Sequence, residues 1–216
     1  MDEVNAAVAF ADLAGFTALT EAHGDVVAAD IAERLVAVTK SVMAVGDRLV
    51  KDIGDAVLLT SADAVSGIGL VLRLFDACET DAQFPDLRAG LHYGPVVERA
   101  GDIFGSTVNI AARITAKAAG GQILMTRPVA DAAVPHGLTV RELGPLRLRN
   151  LIEPVELYKL VRTGMDDHDV DPVCRMRINP ATAVGRLTYA GTDYLFCSLR
   201  CAGKFAMQPD RFTSIE

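Results

Sequence analysis

Arg48-Leu49-Val50-Lys51-Asp52-Ile53-Gly54-Asp55-Ala56-Val57-Leu58-Leu59-Thr60 is the stretch on which the fold turns. Two short β-rich runs, 48–51 and 56–60, flank the turn-forming tetrad Asp52-Ile53-Gly54-Asp55, which is a hairpin signal. On the N-terminal side, Ile31, Leu35, Val38, Val42 and Val45 recur at helical spacing and predict an amphipathic helix over 30–45. Ahead of that helix, 4–13 is rich in Val, Ala and Phe and runs into a turn at Gly15, as a buried strand does. On the C-terminal side, Ser61 can cap a second helix whose buried face is Val65, Ile68, Leu72 and Phe75. A strand over 87–93 ending at Gly94-Pro95, a helix over 106–119 closed by Gly120-Gly121 and a strand over 122–125 follow. Short strands with turns at Gly144-Pro145 and Glu153-Pro154 extend to 161. A hairpin set between two helices, in the order β-α-β-β-α-β, describes an α+β fold with a ferredoxin-like core and additions.

The whole chain sets the limits. Its 216 residues suffice for one large domain and a small appendage. Half the residues are apolar and 23% are charged, which excludes a disordered chain. Net charge is −7 and no stretch clusters Lys and Arg, which excludes a nucleic-acid-binding face. The acidic start Met1-Asp2-Glu3 carries no targeting signature, and the apolar run behind it is broken by Asp12. No apolar run nears the roughly 18 residues of a membrane span, so no membrane partner and a cytoplasmic location are expected. The polar, aperiodic segment Thr163-Gly164-Met165-Asp166-Asp167-His168-Asp169 reads as a linker. The expected division is therefore 1–163, a linker over 164–169, and 170–216.

Two carboxylates sit where they are costly unless used. Asp12 interrupts the apolar run Phe10-Ala11-Asp12-Leu13-Ala14-Gly15-Phe16-Thr17, and Asp55 sits at the hairpin tip. If the first strand lies beside the hairpin, the two converge and can hold one or two magnesium ions. Singly, Asp12 could cap the next helix and Asp55 could serve its turn. A third segment, Asp102-Ile103-Phe104-Gly105-Ser106-Thr107-Val108-Asn109-Ile110-Ala111-Ala112-Arg113, places Asn109 and Arg113 on one helical face. A helix start with Gly105 and Ser106 favours anions, and Arg113 can bridge phosphate oxygens. Taken alone, these two read better as an ordinary Asn and a surface Arg.

Together the segments resemble the class III nucleotidyl cyclase catalytic domain over residues 4–161. Phe10-x-Asp12-x-x-Gly15-Phe16-Thr17, Lys51-x-x-Gly54-Asp55, Gly90-x-His92-x-Gly94 and Gly105-x-x-Val108-Asn109-x-Ala111-x-Arg113 stand in the family's order. The resemblance implies Asp12 and Asp55 as ligands of two Mg2+ or Mn2+ ions per active site. It implies Lys51 and Asp102 as purine readers, Asn109 as the residue orienting the ribose, and Arg113 as the residue stabilising the pentavalent phosphorus. It also implies a homodimer, with both Asp residues from one chain and the purine, ribose and Arg residues from the other. Guanylyl cyclases of the family carry Glu and Cys or Ser at the two purine positions, so Lys51 with Asp102 points to ATP. A Lys donates to adenine N1 and an Asp accepts from its N6 amino group, whereas guanine presents the opposite pattern there. The implied reaction is in-line attack of the ribose 3′-hydroxyl on the α-phosphate, giving cyclic AMP and pyrophosphate. No residue is an obvious general base. The stretch 94–102 is short where many cyclases carry an extended arm, as in one bacterial subgroup.

The C-terminal 170–214 resembles the YHS domain, a small cysteine-bearing module associated with heavy-metal handling. The resemblance rests on Asp171-Pro172-Val173-Cys174-Arg175-Met176, Tyr194-Leu195-Phe196-Cys197-Ser198-Leu199-Arg200-Cys201, Phe205 and Pro209-Asp210-Arg211-Phe212, with Arg175 where the family has Gly. Cys174, Cys197 and Cys201 could hold Zn2+ or Cu+, or remain reduced and structural. Their spacing puts the last two sulfurs on one helical face, and His168 is the candidate fourth ligand. A module this short needs a metal, a partner or packing on the first domain to fold. Cys78 is expected to be a small buried hydrophobe, His92 a satisfied strand residue, and His23 and His136 solvated. The leading expectation is an adenylyl cyclase tuned by a metal- or redox-responsive tail. The alternatives are a non-catalytic nucleotide-binding dimer and a metal-handling protein on a cyclase scaffold.

Overall fold

The computed structural model describes residues 3–81, 84–148, 151, 153–162 and 169–213. The chain runs β1 (Glu3–Leu13), α1 (Phe16–His23), α2 (Asp25–Val42), β2 (Arg48–Ile53), β3 (Ala56–Ser61), α3 (Ala64–Glu79) and β4 (Leu87–Arg99). It continues through β5 (Asp102–Phe104), α4 (Ser106–Thr115), β6 (Ile123–Thr126), α5 (Arg127–Ala133), β7 (Val140–Leu146) and β8 (Val155–Leu160). The sheet order is β2-β3-β1-β4-β6-β8-β7, with β5 paired to β4. Its first four strands, β2-β3-β1-β4, have the ferredoxin-like arrangement, with β1 antiparallel to both β3 and β4.

β1 is buried at Ala7, Val8 and Ala9 because both of its faces are covered. Ala9, Ala11 and Leu13 join Ile31, Leu35, Ile68, Leu74 and Phe75 under α2 and α3. Val8 joins Leu58, Val96, Ile103 and Ala111 on the α4 side. Asp12 follows the parity of Val8 and Phe10, so the strand presents its carboxylate on the α4 side. Close approach of α4 needs glycine. A Cβ on Gly90 would meet the Thr115 backbone nitrogen and lie 2.6 Å from Ile114 Cγ1. One on Gly94 would lie 2.8 Å from Thr107 Oγ1. Gly90→Ala should therefore cost about 1–3 kcal/mol and lower Tm by roughly 5 °C. A thermal melt indistinguishable from wild type would show that α4 is not held at this contact.

Several boundaries differ from the sequence expectation for local reasons. α2 begins one turn early at Asp25 and ends at Val42, leaving Val45 exposed. Asp63, not Ser61, caps α3, accepting from Ser66 N at 2.8 Å, while Ser61 Oγ donates to Asp47 Oδ1. α4 stops at Thr115, and α1 and α5 were not anticipated. β4 does not end at Gly94-Pro95. Pro95 pairs opposite Asn5, and its carbonyl accepts from Thr107 Oγ1 at 2.7 Å. The missing N–H of Pro95 is therefore on the side facing α4, where no ladder bond is needed.

The C-terminal segment folds as β9 (Asp169–Val170), β10 (Arg177–Ile178), β11 (Gly185–Tyr189), β12 (Thr192–Phe196), α6 (Leu199–Met207) and α7 (Pro209–Thr213). β9 pairs with β10 and β11 with β12, both antiparallel. Residues 164–168 of the expected linker lie outside the described residues, and Asp169 already pairs with Ile178. Phe205 packs on Tyr194 and Phe196 at ring separations of 4.8 and 5.1 Å. This small core is continuous with the large one. Val173, Cys174, Met176, Phe196, Cys201 and Phe205 belong to the same buried cluster as Leu19, Ala22 and Phe84. Arg177 is buried and donates to the carbonyls of Phe84 (3.2 Å), Asp81 (3.3 Å) and Cys78, tying β10 to the loop after α3. The packing that a module of this size requires is thus supplied by the rest of the chain.

Candidate active site

Asp12 stands near the end of β1, in register with Ala56 of β3 and Arg88 of β4. The turn carrying Asp55 is drawn to it by the backbone, with Leu13 N donating to Asp55 O at 3.2 Å. On the other side Ala14 N donates to Asp86 O at 2.7 Å. The Asp12 and Asp55 carboxyls lie close enough to interact. Burial, then the like charge of Asp12, pushes the Asp55 carboxyl up to about 6. Two carboxylates crowded into a partly desolvated site form an all-oxygen donor set that suits a hard divalent cation. Sequence reasoning missed one participant, Arg88. Its Nε and Nη2 lie 2.9 and 2.5 Å from Asp12 Oδ2. Only the strand register, which sets it opposite Asp12, distinguishes it from other strand arginines.

Lys51 on β2 and Asp102 on β5 meet at 2.5 Å, Nζ to Oδ2. The hydrogen bond from Lys51 holds the Asp102 carboxyl below the usual carboxylate range. β4 and β5 form a compact arm turned by Ala100 and Gly101, both at positive φ. Arg48 ties the arm to β2 through Glu98 Oε1 (3.2 Å) and the Gly101 carbonyl.

Asn109 and Arg113 lie on α4, Asn109 exposed and Arg113 half-buried. Among the described residues no ion pair joins Arg113 to Asp12 or Asp55, and the cation that answers Asp12 within the chain is Arg88. His92 is satisfied in the sheet, its Nδ1 2.7 Å from Thr126 Oγ1, and burial lowers its pKa. The structure thus assembles two pairs, Asp12 with Asp55 and Lys51 with Asp102. It leaves the Asn109–Arg113 face open.

The three C-terminal cysteines come together as well. Cys174 Sγ lies 3.5 Å from Cys197 Sγ, which lies 3.8 Å from Cys201 Sγ. Cys197 and Cys201 do not share a helical face. Cys197 precedes the helix, Ser198 caps it by accepting from Cys201 N at 3.2 Å, and Cys201 lies in the first turn of α6. His23 is not solvated, contrary to expectation. Its Nε2 lies 3.6 Å from both Cys197 Sγ and Cys201 Sγ. His168 lies outside the described residues. His136 is exposed and Cys78 is buried, with burial pushing its thiol up to about 12.

The profile of the adenylate and guanylate cyclase catalytic domain matches residues 2–162. The chain belongs to this family. The YHS domain profile matches residues 170–215. A pH-sensitive adenylate cyclase of Mycobacterium tuberculosis is 40% identical over 163 residues, covering 72% of this chain and 40% of that protein. An adenylate cyclase of Streptomyces griseus is 37% identical over 131 residues, covering 60% and 33%. The chain thus spans about two fifths of the length of the first of these relatives and a third of the second. Among solved structures, the adenylyl cyclase CyaB of P. aeruginosa superposes with a TM-score of 0.66 at 19% identity, covering 77% of this chain and 98% of that one. At that identity the likeness establishes the fold. No helix among the described residues is long and apolar enough to cross a membrane.

Proposed function

We propose that the chain is an adenylyl cyclase that converts ATP to 3′,5′-cyclic AMP and pyrophosphate at a site shared by two copies of itself. The Asp12–Asp55 pair is the observation that carries the reading, because Arg88 answers only one of two crowded carboxylates and the remaining negative charge suits divalent cations. These two residues would hold the divalent ions. Bound there, Mg2+ or Mn2+ supplies Lewis-acid charge to the attacking 3′-hydroxyl and the leaving pyrophosphate.

The remaining work falls to this chain's other residues. Lys51 donates to adenine N1 and Asp102, kept ionised by Lys51, accepts from the N6 amino group. Asn109 fixes the ribose, and Arg113 sets its guanidinium against the α-phosphate as charge builds there. The acceleration then comes from positioning and charge stabilisation. Among the described residues Arg113 makes no ion pair, and it lies half-buried on α4, which supports its use across a dimer interface. Ile53 at the hairpin tip and Phe104 before α4 are about half exposed (48% and 51%), as rim residues of such an interface would be. One arrangement of domains fits this reading: a catalytic unit over 1–163, a linker over 164–169 and a YHS module over 170–216. The support for ATP over GTP is the identity of the purine pair together with the adenylate cyclase relatives.

The test is turnover of ATP and GTP with Mn2+ or Mg2+, read as cyclic nucleotide and pyrophosphate. Wild type is expected to make cyclic AMP. Lys51→Glu with Asp102→Cys should shift the ATP:GTP ratio toward GTP by about 100-fold, since each reversed hydrogen bond costs 1 kcal/mol or more. An unchanged ratio in a folded double variant would remove the purine assignment. No cyclic product from wild type with either nucleotide would favour the non-catalytic nucleotide-binding dimer.

A further inference from the structure

We propose that His23, from the catalytic module, completes a tetrahedral Cys3His zinc site with Cys174, Cys197 and Cys201, which clasps the C-terminal module to the helix behind Asp12. The inference concerns binding and does not rest on turnover. Its basis is the shape of the cluster. The four donor atoms all lie within 4.8 Å of one another. A tetrahedral zinc with Zn–S near 2.3 Å and Zn–N near 2.0–2.1 Å has S···S edges of about 3.8 Å and S···N edges of about 3.5 Å. Two of the three sulfur–sulfur edges are 3.5 and 3.8 Å, two of the three sulfur–nitrogen edges are 3.6 Å, and the two edges from Cys174 to Cys201 and to His23 lie within 4.8 Å. A disulfide pair would bring two sulfurs to about 2.05 Å and leave the third thiol and the imidazole without a role. All three cysteines are free.

Zinc, rather than copper(I), follows from the donor set. A thiolate trio with an imidazole nitrogen at equal range is a structural zinc arrangement, whereas softer copper(I) is selected by sulfur ligands. The ligands are held before any ion arrives. Asp171 is fully buried, and its carboxylate accepts from Val173 N (2.8 Å), Cys174 N (3.3 Å) and Cys197 N (2.9 Å). It thereby locks the loop bearing Cys174 to the end of β12 bearing Cys197. Ser198 sets Cys201 in the first turn of α6, where the helix N-terminus favours a thiolate.

The fourth ligand makes the site a clasp. His23 is the last residue of α1, and α1 starts at Phe16, four residues after Asp12. The C-terminal module touches this helix at both ends. At its C-terminal end, beside His23, Lys204 Nζ donates to Glu21 O at 2.7 Å. At its start, Arg175 lies so close to Gly15 that a Cβ there would fall 2.6 Å from both Arg175 Cβ and Cγ. Metal at His23 would therefore fix the far end of the helix whose near end carries the Asp12 turn.

The experiment uses the full chain, purified under reducing conditions without chelator, with zinc itself as the probe. Elemental analysis should give one zinc per chain. Cobalt substitution should give the d–d and thiolate charge-transfer bands of a tetrahedral site. In competition with a chromogenic chelator, His23→Ala should weaken zinc binding about 100-fold or more, since loss of a ligand exceeds the 10–100-fold cost of losing a ligand's supporting partner. His23→Cys should retain zinc and strengthen the cobalt charge-transfer band, which separates ligation from damage to the fold. Chelation should lower the Tm of wild type and leave that of His23→Ala unmoved. Equal zinc affinity in wild type and His23→Ala would overturn the proposal. So would a wild-type chain that takes up no zinc, or one that carries copper(I) on sulfur alone. Any of these outcomes leaves the cyclase reading standing, because none of the readouts is turnover.

Discussion

Refolded together, Asp12→Ala and Arg113→Ala should recover about a quarter of wild-type cyclase activity, although each alone is expected to be inactive. In the proposed two-fold dimer each site would take its carboxylates from one chain and its Arg113 from the other. On that reading an Asp12→Ala homodimer would lack the proposed metal ligand at both sites, and an Arg113→Ala homodimer the proposed phosphate-facing cation at both. In the mixed dimer both defects fall in one site, and the other is intact. Random pairing makes about half the dimers mixed, each with one working site of two. The structure motivates the test because Asp12 is paired within its own chain by Arg88, while Arg113 has no ion pair among the described residues. A mixture that stays inactive while heterodimer is demonstrated would refute the shared site. Appreciable turnover by either single variant would do the same.

Asp55→Asn should move activity and stability in opposite directions. Turnover is expected to fall roughly a thousandfold, the order supplied by several kcal/mol of transition-state charge stabilisation. The metal-free protein should nevertheless melt at a higher temperature than wild type at about pH 7. The sign follows from the raised pKa. With a folded value near 6 against 3.8 for the ordinary carboxyl, the folded state binds the extra proton between those limits. Stability contributed by Asp55 is therefore full below the lower value, is lost as pH rises through the upper one, and stays lost at neutral pH. Asn removes the charge and keeps the shape, so the gain should be absent near pH 4 and present at pH 7. Added Mn2+ should stabilise wild type at neutral pH and leave the variant little changed. A variant that is both inactive and less stable at neutral pH would mean Asp55 is a structural turn residue.

The candidate residues could be picked out locally: Asp12 breaks an apolar strand, Asp55 closes a two-strand turn, and Asn109 and Arg113 share one helical face. Singly each reads as structural, and only the four motifs standing in the family's order gave them proposed roles. The β2-β3-β1-β4 order followed from a hairpin flanked by helices. What was missed is non-local or energetically quiet. His23 sits beside Cys197 only because α1 and α6 pack together across nearly the whole length of the chain, and no spacing encodes that meeting. Arg88 looks like any strand arginine until the register sets it opposite Asp12. Pro95 read as a strand end because proline ends ladders, and only the turn of its carbonyl toward Thr107 shows why this strand tolerates it. Eight-residue α1 carries a weak periodic signal, being held by burial of Leu19 and Ala22 rather than by propensity.

The buried Arg177, spanning from β10 to the carbonyls after α3, bears on how such proteins can be recombined. One family profile matches the chain up to residue 162 and a second from residue 170. The shared core and the guanidinium threaded through the seam make the unit of inheritance smaller than the unit of cooperativity. A tail moved onto another enzyme would arrive with an arginine and a hydrophobic face cut to this α3–β4 loop. The recipient would need matching carbonyls there and a carboxylate in the place of Asp86, 3.5 Å from Arg177 Nε, or the graft would bury an unpaired charge. Fusion at this seam is therefore a commitment: once the two surfaces have been fitted to each other, neither half is freely exchangeable.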